Sequence, residues 1–241
     1  MLKYAIIVLS IKVMGAGKMK YRACIFDLDG TLANTLKSIA YFGNSTLKKF
    51  NFSPIETEKY KLMVGNGADK LISRMLKNSD NFANFTEDII HATRQQYDKL
   101  YEADPMKFVT PYNGITDMLK KLKAENFKLA VLSNKPDNMT KFIAESLFPN
   151  TFDIILGQTD NMPKKPNPTS ALSIVSAFQI PASEILYIGD SGVDMQTGRA
   201  AGMDTTGVLW GFRDETELLE NGAVYIAKTA EQLSEIALKL P

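Results

Sequence analysis

The sequence holds one cysteine, one histidine and one tryptophan in 241 residues. With Cys24 alone, no disulfide can close within the chain, and a stapled secreted scaffold is excluded. A reducing compartment suits such a chain, and a cytoplasmic location is the expectation. There is no excess of either charge: 28 Lys and Arg face 27 Asp and Glu, for a formal net charge of +1. The broad positive field of a dedicated nucleic-acid binder is therefore missing. No apolar run reaches the roughly 18 to 20 residues that would cross a bilayer. Low-complexity disorder is excluded too, because 45% of residues are hydrophobic and 23% charged. The length is ample for one large core, or for a core with a small accessory domain.

Residues 1–18 stand apart. Tyr4 to Ile11 reads YAIIVLSI, but Lys12 closes this run early for a signal peptide. Met19 begins MKYRACIFDLDG, a natural start for a chain whose first strand follows at once. Residues 1–18 are expected to be an extension without function.

From Tyr21 onward, apolar β-type runs alternate with helical periods. Ala23 to Phe26 ends at Asp27, Lys128 to Leu132 ends at Ser133-Asn134, and Asp153 to Leu156 ends at Gly157. Ile185 to Ile188 ends at Gly189-Asp190; Thr205 to Leu209 and Ala223 to Ile226 are fifth and sixth candidates. Ile115, Met118, Leu119 and Leu122 form one helical stripe, and Ala171, Ile174, Val175 and Phe178 another. Such alternation predicts an α/β fold, a parallel sheet with helices on both faces. Residues 35–107 offer helical pattern only, with an Asn- and Asp-rich run from Asn78 to Asn84 between two helices. They read as a small helical insert after the first strand. The domains expected are thus 19–34 with 108–241 as the core and 35–107 as the insert.

Four polar clusters follow the strands. Asp27-Leu28-Asp29-Gly30-Thr31 places two carboxylates on one side of a strand end, where a hard divalent cation such as Mg²⁺ would relieve their repulsion. An ordinary Asp-Gly turn is the bland alternative. Ser133-Asn134 offers a hydroxyl and an amide for phosphate oxygens, or a helix cap. Lys164-Lys165-Pro166-Asn167-Pro168 holds a lysine between prolines, or is a solvated loop. In Gly189-Asp190-Ser191-Gly192-Val193-Asp194, two acids one helical turn apart can share a cation, or simply start a helix. Each cluster alone is weak. Their order is not: a nucleophilic carboxylate, a proton carrier, neutral donors, a cation and a lysine are what phosphoryl transfer needs. His91 lies in a helical stretch away from all four and reads as a surface or packing residue.

DLDGT, LSNK, KKPNP and GDSGVD, in this order and spacing, resemble the haloacid dehalogenase superfamily over roughly residues 20–238. Val64-Gly65-Asn66-Gly67 and the VLWGF segment, Val208 to Phe212, are similar to its phosphoglycolate phosphatase group, whose members carry a helical cap. The resemblance implies a Rossmann-like core and an Mg²⁺-dependent phosphatase. It implies that Asp27 is the nucleophile and Asp29 the general acid and base. Mg²⁺ would be held by Asp27, the backbone carbonyl of Asp29 and Asp190, with Asp194 holding its waters or positioning Lys165. Ser133, Asn134, Lys165, Gly30 and Thr31 would surround the phosphate, and Gly65, Asn66, Gly67 and Arg74 would meet the substrate from the cap. The implied partner is a small phosphorylated metabolite, bound by a monomer or homodimer, with no nucleic acid and no membrane. A phosphosugar mutase of the β-phosphoglucomutase kind, a pyrophosphatase, a nucleotidase and a non-catalytic binding protein are the alternatives. Thr31 stands where such mutases usually carry an aliphatic residue, which favours hydrolysis. Asn34 stands where the family often has Asp, outside the four motifs.

Overall fold

The computed structural model describes residues 19–80 and 85–239; residues 1–18 and the end of the Asn-rich run lie outside them. Among the described residues no helix is long and apolar enough to cross a membrane.

Six strands form one parallel sheet: β1 (Ala23–Phe26), β4 (Lys128–Pro136), β5 (Ile154–Gln158), β6 (Ile185–Gly189), β7 (Asp204–Val208) and β8 (Tyr225–Ala227), in the order β5-β4-β1-β6-β7-β8. Two short antiparallel strands, β2 (Ala33–Asn34) and β3 (Thr110–Pro111), pair where the chain leaves and rejoins the sheet. Between these two the described chain is helical: α1 (Leu36–Lys49), a 3-10 turn at Thr57–Leu62, α2 (Ala68–Asp80) and α3 (Glu87–Ala103). After β3 come α4 (Ile115–Ala124), α5 (Asp137–Leu147), α6 (Thr169–Phe178), α7 (Gly192–Ala200), α8 (Glu215–Glu220) and α9 (Ala230–Ala237).

The alternating side chains of β1 supply both faces of the core. Cys24 and Phe26 join one buried cluster with Leu129, Val131, Leu186 and Ile188. Ala23 and Ile25 join the other with Ala130, Leu132, Ile185 and Tyr187. A strand buried on both sides must be apolar throughout, which is why ACIF carries no polar residue before Asp27. The stripe Ile115, Met118, Leu119 and Leu122 buries the inner face of α4.

Three expectations are corrected. β4 does not stop at Leu132 but runs on to Pro136; its register with β5 shifts between Leu132 and Pro136, so Ser133-Asn134 lie in the irregular stretch before pairing resumes opposite Gln158. The last strand is Tyr225–Ala227, beginning two residues and ending one residue later than expected. Asn78, Ser79 and Asp80 belong to α2, so the Asn-rich run does not begin the break between helices.

Ile25, fully buried at the centre of the sheet, tests this packing. Ile25→Ala should lower stability by about 2–5 kcal/mol, read as a fall in the urea midpoint at unchanged slope.

Candidate active site

The register of β1 assembles the site. Phe26 pairs with Val131 of β4 on one side and with Ile188 of β6 on the other. The Asp27 amide donates to Ile188 O at 2.9 Å and extends the ladder by one step. Asp27 is thereby level with Leu132 and Gly189, and the next residues on those strands are Ser133 and Asp190. β1 is also the strand from which the sheet is built outward in both directions, the crevice where ligands gather in open α/β sheets.

Lys165 closes the centre from a loop. Its ammonium lies 2.9 Å from Asp27 Oδ1 and donates to Asp194 Oδ1 at 2.8 Å and to Leu132 O at 3.0 Å. It is 6% exposed, so the solvated-loop alternative fails for Lys165. Lys164 does remain partly exposed, paired with Asp69 at 2.8 Å. Asp194 Oδ2 accepts from Ser191 N at 3.2 Å and Ser191 Oγ at 2.6 Å, a capping box at the start of α7. The helix-start reading and the site reading of GDSGVD are therefore both true of the same residues. Asp190 accepts from Phe212 N at 2.8 Å and from Thr31 Oγ1 at 3.5 Å. Gly30 has φ +88°, and a Cβ there would fall 2.2 Å from Asp190 Oδ2, so only glycine lets the first motif approach the fourth.

Ligand oxygens of Asp27, Asp190 and Asp194 all lie within 4.8 Å of one another, buried. Burial pushes the Asp27 carboxyl up to about 7, reinforced by the charges of Asp194 and Asp29 and opposed by Lys165. Burial, then Asp194 and Asp27, hold Asp190 well above the usual carboxylate range. Burial alone would lower Lys165, but Asp194 and Asp27 more than offset it and hold the ammonium well above the ordinary lysine range. One ammonium thus faces three crowded acids. An oxygen-only donor set with surplus negative charge fits a hard divalent cation. The Asp29 carboxylate is outside this triad: Lys135 Nζ donates to both its oxygens at 3.2 Å.

A cavity of about 130 Å³ opens beside Asp27 and Asp29, between the ends of the strands and the helical insert. Ser133, Asn134, Gly65 and Gly67 line it. Asn134 contributes little free hydrogen-bonding capacity to it. Its amide donates to Gly65 O at 3.0 Å and Lys165 O at 3.1 Å, and its Oδ1 accepts from Lys165 N at 2.8 Å. Asn134 ties the lysine loop to the loop of the insert. Arg74 does not reach the cavity; it donates to Met63 O at 2.9 Å, because α2 turns its side chain back onto the loop before it. Asn66 is likewise absent from the lining.

Sequence reasoning missed Lys135, Arg94, Tyr97, Asp98, Tyr101 and Glu102, which also line the cavity. Lys135 was legible as the residue straight after Ser133-Asn134. Thr93, Tyr97 and Tyr101, spaced i, i+4, i+8, mark the buried face of α3. His91 is on α3 but exposed and outside the cavity. Trp210 donates its indole N–H to Thr31 O at 3.0 Å and so braces the first motif.

Fold and site together define an α/β enzyme core with an acidic centre at its strand ends. The sequence profile of the haloacid dehalogenase-like hydrolases matches residues 24–208. The chain is 33% identical to a phosphoglycolate phosphatase of Aquifex aeolicus (strain VF5) over 192 residues, 79% of this chain and 86% of that one. It is 28% identical to the phosphoglycolate phosphatase of Vibrio parahaemolyticus over 216 residues, 88% and 93% of the two chains. The crystal structure of a predicted phosphoglycolate phosphatase from Haemophilus somnus superposes with a TM-score of 0.85 at 27% identity, covering 91% of this chain and 99% of that one. The chain belongs to the haloacid dehalogenase-like hydrolases.

The acidic triad makes a prediction independent of turnover. Mg²⁺ should raise the melting temperature, by about 2.7 kcal/mol of stability at a hundredfold excess over its dissociation constant. Asp190→Asn should lose most of that increment; an equal rise in both proteins would place the cation elsewhere.

Proposed function

We propose that the protein is an Mg²⁺-dependent phosphatase of small organic phosphate monoesters, phosphoglycolate first among them, working through an aspartyl-phosphate on Asp27. The observation that carries this reading is the meeting of Asp27, Asp190, Asp194 and Lys165 in one buried cluster at the mouth of a cavity. The curated relatives named phosphoglycolate phosphatase support the substrate.

In this reading Asp27, Asp190 and the backbone carbonyl of Asp29 would hold Mg²⁺, with Asp194 fixing Lys165 and the cation's waters. Bound there, the cation would neutralise charge shared by the phosphoryl oxygens and the acids. Asp27 attacks phosphorus, and its aspartyl-phosphate divides one hard displacement into two. Asp29 gives a proton to the departing alkoxide and later takes one from the water that clears the intermediate. Lys165, Ser133 and the backbone amides near Leu28 meet the oxygens on which charge accumulates, fixed before the reaction begins, while the Gly30 and Thr31 amides are already donated to Ala33 O and Leu28 O. Residues 35–107 act as a cap domain over the core of 19–34 and 108–241. Gly65 and Gly67 give the cap loop backbone close to the substrate, and closure excludes water.

Asp27→Asn should leave the fold intact by circular dichroism and reduce hydrolysis of phosphoglycolate to background. Residual turnover within about tenfold of the unaltered protein would remove Asp27 as nucleophile. Asp29→Asn should slow both half-reactions, so that acid-quenched protein retains labelled phosphate longer; unchanged single-turnover rates would reject its proton role.

A further inference from the structure

The cavity lining carries a charge pattern that the phosphoryl centre does not use. Four acids face it, Asp27, Asp29, Asp98 and Glu102, and two cations, Arg94 and Lys135. Arg94 is already engaged: its Nε donates to both oxygens of Asp98 at 2.9 and 2.7 Å, and its Nη1 pairs with Asp69. Lys135 has one carboxylate partner, Asp29. An ammonium has three donor positions, and two oxygens of a single carboxylate leave one of them open. Lys135 Nζ sits 4.7 Å above the Tyr101 ring, which favours a cation at that spot. The Tyr101 hydroxyl is buried in the same wall and makes no hydrogen bond among the described residues. A buried hydroxyl with no partner costs stability unless something fills its hydrogen bond.

Position decides what these two groups serve. In the reading above, Asp29 protonates the departing oxygen, so a lysine on the Asp29 carboxylate stands on the leaving-group side of phosphorus. A phosphate ester whose leaving half is neutral gives that ammonium nothing to bind. A leaving half with its own negative charge would face Asp29 and Glu102 unless a cation met it, Asp98 being already paired with Arg94.

We propose that Lys135 Nζ and Tyr101 Oη form a subsite for a carboxylate on the leaving half of the substrate, which makes the preferred class phosphate esters of small hydroxy acids. The inference rests on the phosphatase reading and deepens it. The lysine supplies charge and the phenol a directed O–H, two donors for two carboxylate oxygens.

The test compares kcat/KM for phosphoglycolate and for 2-hydroxyethyl phosphate, in which a neutral CH₂OH replaces the carboxylate. Taking their ratio cancels any disturbance of Asp29 that both esters share. Lys135→Met should lower the ratio on the order of tenfold to a hundredfold, the range for hydrogen bonds to charged groups. Tyr101→Phe should lower it roughly tenfold, and Lys135→Arg should restore part of the loss. Glycolate should inhibit the unaltered protein and do so at least about tenfold more weakly in Lys135→Met. A ratio that moves less than twofold in both Lys135→Met and Tyr101→Phe overturns the subsite while leaving the phosphatase standing. Failure of the unaltered protein to hydrolyse either ester, or p-nitrophenyl phosphate with Mg²⁺, overturns both.

Discussion

The ion pairing of Lys165 with Asp27 and Asp194 is the constraint around which the rest is arranged. All three side chains are under a tenth exposed, and each alone would be costly to bury. The ammonium's single positive charge is shared between Asp27 and Asp194, two of the three neighbouring carboxylates, and Leu132 O also accepts from it. Removing one partner of such a buried group leaves an uncompensated charge, at a cost of about 3–5 kcal/mol. What remains is a surplus of negative charge in a dry place, on an oxygen-only donor set that fits a hard divalent cation. Structure and chemistry are therefore the same requirement here.

The scaffold meets that requirement from three separate directions. β1 delivers Asp27, β6 delivers Asp190, and the first turn of α7 delivers Asp194, each fixed by backbone hydrogen bonds rather than by a mobile side chain. The loop that carries Lys165 is in turn held by Asn134, whose three hydrogen bonds also reach Gly65 of the helical insert. Arg213 adds a second tie to the insert. Its guanidinium donates to Lys61 O and to Val64 O, the latter at 3.0 Å, while Glu217 braces it at 3.2 Å. Core and insert thus meet through directed polar contacts beside the cavity and through one continuous buried cluster, in which Ile39, Leu71 and Tyr97 join Phe26, Val131 and Met139.

Much of the core was legible because a parallel strand buried on both faces leaves a strong mark. Ala23 to Phe26 and Ile185 to Ile188 are uninterrupted apolar runs leading to acids; the first strand ends where expected and the other one residue later, at Gly189. The β4 strand was less legible because Ser133 and Asn134 look like a stop. The strand passes them through a shift in its register with β5 and pairs again at Pro136, opposite Gln158. Arg74 shows the same limit in a side chain. A basic residue near a glycine loop suggests anion binding, but the helix directs it at Met63 O instead.

The sequence by itself determined the alternation of strands and helices, the helical character of residues between the first strand and the rest, and the identity of the four polar clusters. These follow from periodicity and from side-chain chemistry, which are local properties. Only the tertiary structure decided that Asp27, Ser133 and Asp190 are neighbours, since strand order and register are set by long-range pairing. It also decided that Lys135 and the aromatic face of α3 look into the cavity. A lysine and a tyrosine 34 positions apart in the chain carry no trace of each other in composition or period, and packing of the insert on the sheet is what brings them together.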